Sequence, residues 1–70
     1  MTRRTWARPT VAGWPMGATV RWQIAFHLTP ELGTVAAVDT DGDGQARRVL
    51  VAVSPDVRHW VAVGRVELLP

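Results

Sequence analysis

The chain has 70 residues, 47% of them hydrophobic, with four tryptophans, no cysteine and a formal net charge of +2. A chain of this size builds one domain whose core supplies only roughly 3–5 kcal/mol of net stability, and the missing cysteines exclude disulfides and thiolate metal sites. Residues 1–16 carry Arg3, Arg4 and Arg8 without an acid (+3), while residues 17–70 set five arginines against six acids (−1), so the pI of about 11.2 reflects a basic leading segment and the absence of lysine.

The leading segment, MTRRTWARPTVAGWPMG, has no periodic apolar pattern and contains two prolines and two glycines. It predicts an irregular N-terminal arm over residues 1–16, with Trp6 and Trp14 expected to dock on the chain's own domain. From residue 17 the pattern changes to short β runs. ATVRWQIAF alternates Val20, Trp22 and Ile24 against Thr19, Arg21 and Gln23, and LTPELG breaks it through Pro30 and Gly33. GTVAAV is the second expected strand, RRVLVAV the third with Val49, Val51 and Val53 on one face, HWVAV the fourth and VELL the fifth, with SPDVR and Gly64-Arg65 as turns. No run reaches the ~20 apolar residues of a membrane helix. Arg3-Arg4 lacks the apolar stretch of a secretory signal, so the expectation is a cytoplasmic chain without a membrane partner.

Five short strands with no helix-length pattern bury a core only by curling the sheet onto itself, which predicts an all-β, five-stranded barrel over residues 17–70. GATVRW, GTVAAVD, RVLVAV and HWVAVGRVELL, taken in order, resemble the layout of SH3-like barrels. The opening resembles KOW-type barrels of translation and transcription proteins, and GTVAAVD with VLVAV is similar to the photosystem I accessory subunit. Type II dihydrofolate reductases are also short SH3-like chains, assembled as tetramers around one pore. Their pore-lining Val-Gln-Ile-Tyr would fall on Arg58-His59-Trp60-Val61, where amide and phenol are both absent, and the lysine expected after the first-strand arginine is Trp22.

The stretch VDTDGDGQARRVL opens like a calcium loop, with Asp39, Asp41, Asp43 and Gly44 in EF-hand spacing. The ninth position is Arg47 and the twelfth is Leu50 in place of the bidentate Glu, and both flanks are strand-like. A hairpin tip is expected instead, with Asp41 and Asp43 offsetting Arg47 and Arg48, because Asp-Gly repeats suit positive-φ turns. Weak, millimolar calcium affinity is the most such a set would support.

No nucleophile, base and orienting group share a motif: His27 and His59 lie at separate strand positions, and Ser54 precedes Pro55 without an elbow motif. The expectation is a non-catalytic binding or adaptor module without a cofactor, gripping a protein partner, with self-association into a homo-oligomer as a further outcome for so small a chain. The contact residues expected are Trp22, Phe26, His59 and Trp60 with Arg21, Arg47, Arg48 and Arg58, supplemented by Arg3, Arg4 and Arg8 of the arm. Core packing is the competing role for Trp22 and Trp60. KOW-like RNA or DNA binding is the alternative, and it requires the arginines to share a face with the aromatics.

Overall fold

The computed structural model describes residues 9–23 and 29–70. They form seven strands: β1 (Thr10–Val11), β2 (Trp14–Pro15), β3 (Thr19–Trp22), β4 (Glu31–Thr40), β5 (Ala46–Ser54), β6 (Val57–Ala62) and β7 (Val66–Leu68), with a 3-10 turn at Val63–Arg65 before β7. The chain is all-β, with a two-stranded sheet β1-β2 and a five-stranded antiparallel sheet ordered β6-β5-β4-β3-β7. Among the described residues, β6 and β7 are the two edges and do not pair with each other, so the expected barrel is not closed by hydrogen bonds.

The period-two runs form the strands because each has one apolar face to bury. β3 alternates exposed and buried along its length. Val20, Trp22, Val35, Val49, Val51, Val61 and Val66 form the core, with Trp14, Met16, Val38 and Val63 packed against it. Val53, expected beside Val49 and Val51, is 43% exposed. The pairing of β5 with β6 shifts register between Ala52 and Ser54, and that irregularity ends the regular inward alternation.

β4 starts at Glu31, immediately after a proline that has no N–H to give a ladder, and continues through Gly33, where the sequence predicted a break. Glycine is required there by contact: a Cβ at Gly33 would lie 2.5 Å from Val51 Cγ1 and 2.9 Å from the Ala52 carbonyl oxygen. Two positions later the pairing with β5 shifts register between Val35 and Ala37. A bulge bends its strand and increases its twist, which lets a ten-residue strand follow a curved core.

The leading segment is more regular than expected. Residues 10–15 form a hairpin in which Val11 faces Trp14 across Ala12 and Gly13, at φ 51° and 85°. Positive φ at both central positions is the signature of a type I′ turn, whose hand suits strand twist. The hairpin is fastened to the main sheet through Gly17 N–H to the Val35 carbonyl (2.8 Å) and Val35 N–H to the Ala18 carbonyl (3.0 Å), while Trp14 and Met16 pack on the core. Trp14 thus sits against its own domain; Trp6, Arg3, Arg4 and Arg8 lie outside the described residues, as do Ile24, Phe26 and His27.

The Asp-rich stretch is the tip of the β4-β5 hairpin. Asp41 Oδ1 accepts from the backbone N–H of Asp43 (2.8 Å) and of Gln45 (3.0 Å), and Gly44, at φ 80°, donates to the Asp41 carbonyl. Asp39, the first acid of the spacing, accepts from Arg48. The Asp41 carboxylate is therefore turned to backbone and that of Asp39 to Arg48, so the acid that offsets Arg48 is Asp39 where Asp41 and Asp43 were expected, and the described residues contain no cluster of three metal-ligating side chains.

Two substitutions test this account by urea denaturation. Ala12→Asn, which supplies the favoured Asn-Gly pair to the I′ turn, is expected to raise stability by about 0.5–1 kcal/mol. Gly33→Ala forces a methyl group onto Val51 and the Ala52 backbone and is expected to lower stability by about 1–3 kcal/mol.

Candidate functional site

Residues directly opposite in an antiparallel pair share a face. Applying that to the register gives an outer face on β4, β5 and β6 made of three rows: Thr34, Ala52 and Arg58; Ala37, Leu50 and Trp60; Asp39, Arg48 and Ala62. The inner face between them carries Val49 opposite Val61 and Val51 opposite His59. The middle outer row is apolar, and Trp60 stands 48% exposed at its end on the edge strand.

Arg48 organises this face. Its Nε and Nη2 both donate to Asp39 Oδ2, at 3.1 and 2.9 Å, and its guanidinium carbon lies 5.2 Å from the centroid of the Trp60 ring. The carboxylate fixes the plane of the guanidinium, and the guanidinium covers part of the indole, an attraction worth about 0.5–1 kcal/mol at an exposed site. Arg58, two residues from Trp60 along β6, is exposed and has no ion pair among the described residues. The result is an indole with a cation at each side, one held and one free to engage. Along the strand, Arg58, Trp60 and Ala62 repeat at about 6.7 Å.

The other expected contact residues separate into different environments. Trp22 is 1% exposed and belongs to the core, where its ring meets His59 at 5.1 Å between centroids and 39° between planes. Its indole N–H is buried without an acceptor among the described residues. His59 is half-buried, faces inward and closes the core over Trp22. Arg21 points outward from β3 and is bound through Nε and Nη2 to Glu67 Oε1 on β7. Arg47 is exposed near the start of β5, at the register shift that lies between the Asp39–Arg48 and Thr40–Ala46 pairs. The structure thus brings Trp60, Arg48 and Arg58 together, adds Asp39 and Leu50 to them, and sets Trp22 in the core and Arg21 against Glu67.

Asp39 and Leu50 were read from the sequence as positions of the calcium-loop spacing and not as members of a contact surface. A signal for Asp39 was present: residues 39 and 48 flank the Asp-Gly tip at distances that place them opposite one another once the hairpin closes. No signal of that kind exists for Arg21 and Glu67, which are 46 positions apart.

No protein-family model, curated protein or solved structure matches this chain. No helix among the described residues is long and apolar enough to cross a membrane.

The two tryptophans make opposite demands on stability. Trp22→Ala empties the centre of the core and is expected to cost about 3–5 kcal/mol, which is most of the stability of so small a domain. Trp60→Thr is expected to change stability by about 1 kcal/mol or less, since it removes a half-exposed ring and one cation–π contact. Thermal and urea unfolding of the two variants, followed by circular dichroism, measures the split.

Proposed function

We propose that this chain is a small non-catalytic binding module that grips a protein partner through the outer face of β4, β5 and β6, with Trp60 as its anchor. The observation that carries this reading is the indole held half-exposed beside an immobilised guanidinium. An aromatic ring in that setting presents apolar area at low entropic cost, because Arg48 and Asp39 already restrict the groups around it. The scaffold is proposed to be SH3-like. Support comes from the strand order β6-β5-β4-β3-β7 and the 3-10 turn before the last strand, which agree with the layout that the sequence resembles.

A protein partner is preferred to nucleic acid because of where the arginine charges go. Arg21 and Arg48 are neutralised by Glu67 and Asp39, leaving Arg58 and Arg47 as the exposed cations of β5 and β6 without ion pairs among the described residues. Arg47 lies at the register shift of β4 against β5 and is not a member of the paired rows that hold Trp60. Among the described residues, Arg58 is thus the cation without an ion pair that the strand register sets on the face of Trp60, which is weak support for a polyanion.

Titration of the chain with single-stranded and duplex oligonucleotides, followed by tryptophan emission, tests this choice. No saturable change is expected at about 50 or 200 mM salt, whereas two phosphate contacts would give binding that falls about tenfold between those salts. Saturable, salt-sensitive quenching would transfer the function to nucleic acid. Partner capture by the wild type that is lost in Trp60→Thr, and that survives at the higher salt, is the result expected for the protein-binding module.

A further inference from the structure

Among the described residues, β6 is an open edge of the five-stranded sheet. It pairs with β5 from Val57 to Ala62, and among the described residues no strand pairs with its other edge. Alternate residues of such an edge present N–H and C=O groups with no strand to receive them. Proteins commonly blunt exposed edges with proline, bulges or inward-pointing charges. From Arg58 to Ala62 β6 has none of these: it contains no proline, its single register shift against β5 falls outside that stretch, and its inward positions are His59 and Val61.

A groove of about 450 Å³ runs beside this edge, lined by Gln23, His59, Trp60, Val61, Ala62 and Arg65. Its lining includes a guanidinium and an imidazole and no carboxylate. Arg58 adds a second guanidinium on β6 itself, on the outer side with Trp60. Arg58, which has no ion pair among the described residues, gives the Trp60 side of β6 a charge complementary to a carboxylate.

From these features we infer that β6 takes up an extended acidic segment of the partner protein as an added strand, seated in the groove beside it. This rests on the reading of the Trp60 face as protein-binding and specifies the partner. Main-chain hydrogen bonds to the open edge would supply the pairing, and alternate side chains of the added strand would supply the selection. On the outer side those side chains stand opposite Arg58, Trp60 and Ala62. A carboxylate suits the first and a branched apolar side chain the second, so the recognised pattern is acidic and apolar residues two positions apart.

The probe is a capped heptapeptide, Thr-Glu-Thr-Ile-Thr-Glu-Thr, whose pattern reads alike in both directions and places a Glu opposite Arg58 in either strand orientation. Binding to the full chain is followed by tryptophan emission and by backbone amide shifts of β6. Two further versions carry N-methyl groups on alternate sets of backbone amides. Only one set can face β6, so methylating that set is expected to weaken binding at least about tenfold and methylating the other by less than about threefold. Replacing both Glu residues with Gln is expected to weaken binding about fivefold.

Binding that is lost in Trp60→Thr but indifferent to both methylated sets would overturn strand addition and leave the Trp60 face as a protein-binding surface. Binding indifferent to Trp60→Thr and to methylation alike would overturn both readings. The absence of any saturable change would overturn strand addition alone. A dimer in sedimentation that the peptide does not dissociate, with its β6 amides protected from exchange, would assign the edge to a second copy of the chain and likewise overturn the inference.

Discussion

The burial of the Trp22 ring governs the shape of the molecule. A tryptophan side chain removes about 200 Å² from water, which at about 25 cal/mol per Å² is roughly 5 kcal/mol before entropy is counted. That is comparable to the whole net stability of a domain this small, so the strands are arranged to enclose this one ring. β3 carries it, β7 and β4 flank it in register, and His59 on β6 closes over it from the far end of the sheet. A flat five-stranded sheet could not bring β6 and β3 together across two intervening strands. The sheet must therefore curve, and the bulge between Val35 and Ala37 and the bare Cα of Gly33 are the places where it does so. The buried indole N–H, which has no acceptor among the described residues, opposes part of the gain.

Curvature also divides the side chains into two populations with different duties. Those facing inward are mostly valines, short and stiff, which fill the space around Trp22 without demanding more of it. Those facing outward are free of packing constraints, and here stand Arg21, Arg48, Arg58 and Trp60. Each ion pair on this side is exposed and contributes at most about 1 kcal/mol to stability. The effect of the Arg48–Asp39 pair is chiefly geometric: it fixes one cation against the Trp60 ring and removes its net charge from the surface.

Much of the fold was legible in the sequence, because period-two alternation survives in Val20 and Trp22, in Val49 and Val51 and in the turn residues between them. The strand ends and irregularities were less so. Gly33 looks like a strand breaker in one dimension and is a contact requirement in three, since the atoms that exclude its Cβ belong to Val51 and Ala52, eighteen or more positions away. Ala12 gives no turn signal, because alanine seldom adopts positive φ, and the hairpin around it is imposed by the docking of Trp14 and Met16. For the candidate site, residue types were readable and their grouping was not. Trp22 and Trp60 occupy similar alternating patterns, and only the register of β5 against β6 distinguishes the ring that fills the core from the ring that faces out.

The β4-β5 tip is structurally self-sufficient. The two backbone N–H groups bound by Asp41 and the carbonyl bond from Gly44 are all satisfied within residues 41–45, and no core side chain comes from that stretch. A segment that draws so little from its surroundings is a place where the chain can be cut or lengthened: doubling a flexible loop adds only about 0.6 kcal/mol of closure cost. New termini made by circular permutation, or a reporter sequence inserted after Gly42, would enter the molecule there without disturbing the strands that enclose Trp22.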